Sequence, residues 1–213
     1  MNGAVGGMPA SVAQYEDGEI GGRKYWPIVN DRLKAAGVTP NQVQVVWIKE
    51  TNPAPHSGGF PKYTQDLQGQ ITKIVQLLPK RFPKVKLVYL SSRTYGGWAH
   101  RPGGGVPGNS EPYSYETGFA VKWLIEQQLR GKPELNFDPA RGPVTAPWLS
   151  WGPYLWANGD KKRSDGFHFE MTDFRPNDHM HHSEAGMKKI GQQLSQFFKT
   201  DPTTQEWFLG KKD

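Results

Sequence analysis

Two short, apolar and β-branched segments constrain the fold of this chain more than any other feature of its sequence. They are VQVVWI at residues 43–48 and VKLVYL at residues 85–90. Near-continuous apolar strands of this length are typical of a parallel sheet that helices cover on both faces. We therefore predict two neighbouring parallel strands, joined by a crossover connection on the intervening residues.

The segments before, between and after these two strands have the spacing of apolar residues that is typical of helices. Apolar residues that recur three and four positions apart predict four helices, at residues 24–36, 63–79, 115–130 and 183–199. Gly37 and Gly131 are predicted to end the first and third helices, and Ser183 to cap the last. The residues predicted to face the core from the third and last helices are Phe119, Trp123, Leu124, Met187, Ile190, Leu194, Phe197 and Phe198. This order of elements predicts one α/β, doubly wound domain over residues 1–213.

Two long regions between the predicted elements are expected to be irregular loops. They are residues 93–114, which are rich in Gly and Pro, and residues 131–169. Compact domains rarely carry structureless loops of that length unless the loops have a function. Ligands of open α/β sheets bind beyond the carboxyl ends of the strands, where residues 50–55 and 91–101 emerge. The sequence therefore predicts a functional site at this edge of the sheet.

The composition excludes several classes of protein. The chain has no cysteine, which rules out disulfides, thiolate catalysis and zinc–thiolate sites. No apolar run approaches the roughly 18 residues that a membrane-spanning helix needs. The net charge is +6, but the lysines and arginines are scattered rather than gathered on one helix. No nucleic-acid partner is therefore expected.

The predicted loops are rich in aromatic residues. Four of these are candidate substrate-binding residues, namely Trp98, Trp151, Tyr154 and Trp156. Loops on a rigid scaffold commonly carry binding residues, and aromatic rings there can stack on sugars. Aromatic side chains also clamp loops to one another, and the sequence leaves both interpretations open.

A short polar motif carries the strongest chemical signal in the chain. Asp178 and His181 are spaced D-x-x-H immediately before the last predicted helix. A carboxylate in this position can accept a hydrogen bond from one imidazole nitrogen and leave the other free to accept a proton. The alternative is a polar loop in which Asp178 caps a turn.

The same loop contains enough imidazoles and carboxylates to raise the question of a metal site. The candidates are Asp173, Asp178, His179, His181 and His182. Adjacent residues of one loop seldom converge on a single ion, and the spacings typical of closed zinc sites are absent. We therefore expect no metal ion here.

The residues around the motif resemble the C-terminal block of the SGNH (GDSL-like) hydrolases, a family of serine esterases. That block usually reads D-x-x-H-P-S-x-x-G and runs into a helix. Asp178, His181, Ser183 and Gly186 stand at its fixed positions in this sequence. His182 replaces the usual proline. The resemblance implies that His181 is the catalytic base and that Asp178 orients it.

Two earlier segments resemble the blocks that supply the family's oxyanion hole. Residues 2–7 are similar to the second block, in which Gly7 would donate its backbone N–H, with Gly6 as the alternative. Asn52 stands where the third block has the asparagine whose side-chain amide is the second donor. The usual G-x-N-D pattern of that block reads E-T-N-P here.

The resemblance also carries expectations about the fold. The family has a three-layer αβα, flavodoxin-like parallel sheet, and its nucleophilic serine lies in a GDS-like turn after the first strand. Residue 1 of this chain falls close to the second block, so the first two strands and that serine are expected to be missing from it. Ser91 and Ser92 follow a strand, but that position is not nucleophilic in the family, and no G-x-S-x-G elbow occurs.

The function implied by the resemblance is hydrolysis of a carboxylic ester, with a carbohydrate ester as the expected substrate. The loop at residues 151–166 is similar to one in bacterial members of the group. No cofactor is implied, and the family's usual location is extracellular or periplasmic. The alternative is a non-catalytic carbohydrate-binding module that uses the loop aromatics.

Overall fold

A three-stranded parallel sheet lies at the centre of the structure, a computed structural model that describes residues 1–52, 58–99 and 110–210. The strands are β1 (Glu19–Ile20), β2 (Arg23–Lys24), β3 (Val45–Ile48), β4 (Leu87–Leu90) and β5 (Trp148–Trp151). β1 and β2 form a small antiparallel hairpin, whereas β3, β4 and β5 pair in parallel in that order. Ile48 lies opposite Leu90, which lies opposite Trp151. The predicted parallel pairing of residues 43–48 and 85–90 is confirmed.

Six α-helices surround the sheet in the described residues. They are α1 (Ala10–Ala13), α2 (Tyr25–Ala35), α3 (Gly59–Arg81), α4 (Tyr113–Leu129), α5 (Glu184–Thr200) and α6 (Pro202–Leu209). The four predicted helices are confirmed as α2, α3, α4 and α5, although α3 continues past Pro79. Gly37 and Gly131 follow the ends of α2 and α4 with φ of 68° and 75°. Glycine adopts this left-handed conformation without the steric cost that a side chain would add, which is why both helices end there.

The helices lie on both faces of the sheet. One cluster of buried side chains joins α1–α4 to Val88, Leu90 and Leu149 of the strands. On the opposite face, the fully buried ring of Tyr89 meets Phe197 of α5 at 5.3 Å between centroids and Trp207 of α6 at 6.3 Å. The α/β class with helices on both faces of a parallel sheet is therefore present.

Strand β5 lies inside a region that was predicted to be irregular. Buried Gln128 of α4 explains how this segment joins the sheet. Its side-chain amide donates to the carbonyl oxygens of Leu135 (3.0 Å) and Pro147 (2.9 Å), and its oxygen accepts from the N–H of Leu149 (2.7 Å). A single helical side chain thus satisfies one backbone group in the turn after α4 and two at the start of β5. Such a contact cannot be predicted from the periodicity of the local sequence.

The prediction that certain residues of α4 and α5 face the core was wrong in part. Leu124 and Ile190 are buried, but Phe119 and Trp123 are only half-buried, and Met187 is 55% exposed. Phe119 and Trp123 instead pack against each other and against Phe60, at ring centroid distances of 5.5–5.9 Å. The buried face of α4 contains small and aliphatic residues together with Glu116 and Gln128, and these aromatics form a partly exposed strip beside it.

Strand β3 leaves one edge of the sheet open. Within the described residues it pairs with β4 alone. A groove of about 630 Å³ runs along the other edge. Its apolar lining comes from α2, α3 and α6, and includes Trp26, Val29, Leu33, Ile74, Leu78 and Trp207. An unpaired strand edge beside an apolar groove is a template for pairing with another strand.

We expect the 213-residue chain to self-associate through the β3 edge, because pairing would satisfy its free N–H and C=O groups. Substitution Val45→Lys on this edge is expected to restore a monomer, since a charge there opposes strand pairing. Size-exclusion chromatography with light scattering measures the mass. Val144→Lys at an exposed site is the matched control and should leave association unchanged. A wild-type chain that is monomeric at high concentration would contradict this expectation.

Candidate functional site

Asp178 and His181 form a hydrogen-bonded pair. The Nδ1 atom of His181 lies 2.6 Å from Oδ2 of Asp178. The other carboxylate oxygen accepts the backbone N–H groups of Met180 (2.9 Å) and His181 (3.0 Å). Partial burial opposes ionisation of Asp178, but these three hydrogen bonds outweigh it and lower its pKa to about 2. The carboxylate is therefore ionised at neutral pH, while the His181 side chain is 63% exposed.

The loop that carries the pair is closed at its base by backbone contacts. The N–H of Arg175 donates to the carbonyl of His181 at 2.7 Å, and the N–H of Ser183 donates to that of Asp173 at 3.0 Å. The hydroxyl of Ser183 accepts the N–H of Gly186 and caps α5, as predicted. A Cβ atom at Gly186 would lie 2.0 Å from the carbonyl oxygen of Asp173. Glycine is required there, because any side chain would force the loop away from the helix.

His182 ties this loop to the carboxyl end of β4. Its Nε2 atom lies 3.0 Å from the hydroxyl of Thr94, which follows the strand. The ring stacks 6.1 Å from Phe169 and 4.9 Å from Phe174 between centroids. Burial, with the nearby positive charges of Lys49 and Arg93, lowers the pKa of His182 to about 4. His182 is therefore neutral near pH 7 and acts as a packing residue where the SGNH block has proline.

The predicted oxyanion donors lie in the N-terminal half of the structure. The side-chain oxygen of Asn52 accepts the N–H of Ser11 at 3.1 Å, and its amide donates to the side chain of Gln70. Gly7 adopts a φ of 74° in an exposed turn. The N–H of Ala10 donates to the carbonyl of Thr51 at 3.2 Å, which brings the segment after Gly7 against the loop after β3. The assignment of Gly7 and Asn52 to an oxyanion hole stays a prediction.

The four candidate aromatic residues are separated into two environments. Trp98 packs against Tyr95 and Phe174, at 4.9 and 5.9 Å between centroids. The indole N–H of Trp156 donates to a carboxylate oxygen of Glu111 at 2.9 Å, and its ring lies 4.7 Å from that of Tyr115. These contacts make Trp98 and Trp156 loop clamps. Trp151 and Tyr154, by contrast, line a cavity of about 200 Å³ with Tyr115, Gly118, Phe119 and Lys122.

Glu111 is a structural residue that the sequence analysis missed. One of its oxygens accepts the N–H of Gly96 and the indole N–H of Trp156, both at 2.9 Å. The other oxygen accepts the N–H of Tyr115 at 3.0 Å. Glu111 therefore joins the loop after β4, the first turn of α4 and the loop after β5.

A second group that the sequence analysis missed is a cluster of three charged residues. Lys49 and Glu50 follow β3 directly, and Arg93 comes three residues after the end of β4. All three are half-buried. Burial and the neighbouring Arg93 charge lower the pKa of Lys49 to about 7, and burial raises that of Glu50 to about 7 although Arg93 opposes this. The available sequence signal was the presence of charged residues immediately after an apolar strand.

Comparisons of the chain with models of protein families, with curated proteins and with solved structures find no match. In the parts of the chain that the structure describes, no helix is long and apolar enough to cross a membrane. Nor do three or more His, Asp or Glu side chains of those parts form a group that could hold a metal ion.

Removing the imidazole should change the ionisation of its partner. In His181→Ala, we expect the pKa of Asp178 to rise from about 2 toward the ordinary value for aspartate. It should remain below that value, because the N–H of residue 180 still donates to the carboxylate. Carboxyl carbon chemical shifts across a pH titration measure this. His168→Ala is the control and should leave the titration of Asp178 unchanged; an unchanged pKa in His181→Ala would contradict the pairing.

Glu50 should make stability depend on pH. Its pKa in the fold, about 7, lies above the ordinary 4.5, so its stabilising contribution is present below pH 4.5 and is lost as pH rises through 7. Glu50→Gln mimics the protonated form and is therefore expected to match wild type at pH 4.5. At pH 9 it should be more stable by roughly 2 kcal/mol, which is the value of about 3 kcal/mol from the pKa difference reduced for the partial exposure of Glu50. Urea unfolding at both pH values tests this, with exposed Glu19→Gln as the control. Lower stability of Glu50→Gln at pH 9 would mean that attraction to Arg93 outweighs the cost of burial.

Proposed function

We propose that this chain provides the histidine–aspartate half of a serine esterase site of the SGNH type. The observation that carries the proposal is the 2.6 Å contact of His181 with an ionised Asp178, in a loop packed against the carboxyl end of a parallel sheet. With Nδ1–H donated to the carboxylate, the exposed Nε2 atom of His181 is left as the proton acceptor. This is the arrangement that a general base needs.

The reaction then follows in two half-reactions. A serine hydroxyl attacks the ester carbonyl, its proton passes to Nε2 of His181, and a tetrahedral oxyanion forms. The oxyanion then collapses, the C–O bond to the alcohol breaks, and the protonated imidazole gives its proton to the leaving alcohol, which leaves an acyl–serine. Water then attacks the acyl–serine, again with His181 as base, and releases the acid and the free serine. Asp178 orients His181 and stabilises its protonated form, and Gly7 and Asn52 are proposed to hold the oxyanion.

The nucleophile in this proposal comes from a strand that is not part of residues 1–213. The described serines nearest to strand ends are already used, since Ser91 accepts the indole N–H of Trp47 and Ser92 accepts the N–H of Leu155. The open β3 edge and its groove of about 630 Å³ are suited to an additional parallel strand. A serine at the carboxyl end of such a strand would emerge at the edge of the sheet where the His181 loop lies. The proposed fold is then the flavodoxin-like αβα sheet of that family.

A carbohydrate ester is the proposed substrate, and the aromatic cavity supports it. A volume of about 200 Å³ lined by Trp151, Tyr154 and Tyr115 is suited to a sugar ring. The same cavity favours the second candidate function, a carbohydrate-binding module without catalysis. Only the esterase requires His181. The binding module would not require it, because the cavity lining does not include this residue.

We expect activity to require both His181 and the proposed serine-bearing strand. The 213-residue chain is expected to hydrolyse p-nitrophenyl acetate no faster than its His181→Ala variant. A protein in which the proposed serine-bearing strand is joined to this chain should be active, and His181→Ala should lower its kcat at least about a thousandfold. His168→Ala serves as the control with near wild-type kcat.

A fluorophosphonate probe identifies the nucleophile in the same proteins. We expect one labelled serine, located outside residues 1–213. Labelling of a serine within these residues would contradict the origin of the nucleophile proposed here. A full-length protein that binds polysaccharide through Tyr154 but has neither a labelled serine nor His181-dependent hydrolysis would instead establish the binding module.

A further inference from the structure

The carboxyl ends of β3 and β4 place two cations beside one carboxylate. Ile48 and Leu90 are opposite each other in the parallel register, so the residues that follow them leave the sheet at the same edge. Lys49 and Glu50 continue β3, and Arg93 continues β4 after two serines. Lys49 and Glu50 also line one end of the groove beside β3. Two of the three charged residues therefore adjoin open volume, and Arg93 lies close enough to both to shift their pKa values.

Lys49 and Arg93 have no direct ionic partner among the residues that the structure describes. Across residues 1–52, 58–99 and 110–210, no carboxylate oxygen lies within 4.0 Å of the Lys49 amine or the Arg93 guanidinium. The Nε atom of Arg93 is buried and has no hydrogen-bond partner. Glu50 is close enough to act on both residues electrostatically, but it forms no ion pair at that distance with either. When Lys49 is protonated, the single carboxyl group of Glu50 cannot balance the charges of both Lys49 and Arg93.

Such an arrangement is costly without a ligand. A guanidinium nitrogen that is shielded from water and unpaired loses its hydration and gains no hydrogen bond. An arginine fork and a lysine amine together match the geometry and charge of a carboxylate, phosphate or sulfate group. We propose that Lys49 and Arg93 bind an oxyanion group of a ligand at the carboxyl ends of β3 and β4, with Glu50 beside them to accept a hydroxyl of the same ligand.

This site does not depend on ester hydrolysis. The Asp178–His181 pair is held by its own loop and shares no hydrogen bond with Lys49, Glu50 or Arg93 among the described contacts. His182 lies between the two groups, since its hydroxyl partner Thr94 is the residue after Arg93. An acidic sugar and a phosphorylated compound carry the same oxyanion chemistry. Binding experiments can distinguish them.

The test is calorimetric titration of the 213-residue chain with glucuronate, with inorganic phosphate and with neutral glucose, at constant ionic strength and pH 6.5. We expect saturable binding of at least one of the two anions and none of glucose. Lys49→Met and Arg93→Gln should each weaken that binding by about tenfold, because each removes a charge-assisted hydrogen bond. Lys84→Met, at an exposed position, is the matched control and should bind as wild type does.

The relative affinities identify the source of the anion. Tighter binding of glucuronate than of phosphate indicates a carboxylate-bearing sugar as the ligand. Tighter binding of phosphate indicates a phosphorylated ligand. Circular dichroism on each variant establishes whether it folds. If Arg93→Gln does not fold, Lys49→Met alone tests the proposal. Failure of both anions to bind the folded wild-type chain would overturn the proposal. Binding that Lys49→Met leaves unchanged, or that Lys84→Met weakens equally, would also overturn it.

Discussion

The parallel pairing of β3 with β4 is the constraint on which the rest of the structure depends. Because the two strands run in the same direction, the polar residues that follow them gather at one edge of the sheet. Thr94 then fixes His182, and through it the Asp178–His181 loop, beside the ends of both strands. An antiparallel pairing would send the residues after β3 and those after β4 to opposite edges.

The site loop depends on a second, shorter-range constraint. The carbonyl of Asp173 packs where a side chain at position 186 would stand, and it also accepts the N–H of Ser183. The carboxylate of Asp173 pairs with Lys189 on the next turn of α5. These contacts close the loop at its base, and within it Asp178 orients the exposed imidazole of His181. The glycine and serine of the motif are therefore structural, whereas Asp178 and His181 are available for chemistry.

Much of this arrangement could be predicted from the sequence because it is local. The two strands, the four longer helices and the spacing of Asp178 and His181 follow from periodicity over a few turns. Strand β5 could not be predicted, because its place depends on pairing with β4 and on the hydrogen bond from the Leu149 N–H to Gln128 of α4. The roles of Trp98 and Trp156 depend on partners elsewhere in the chain, as does the charge imbalance around Arg93. Contacts between segments far apart in sequence leave no pattern within either segment.

The tautomer of His181 tests the central claim most directly. The account requires the neutral imidazole to carry its proton on Nδ1, where Asp178 accepts it, and to present Nε2 as the base. Long-range proton–nitrogen correlation spectra at pH 9, where histidines are neutral, distinguish the two ring nitrogens. The account predicts a protonated Nδ1 and an unprotonated Nε2, with this preference lost in Asp178→Ala. A predominantly Nε2-protonated His181 in the wild-type chain would contradict it, since that nitrogen could not then accept a proton from a serine.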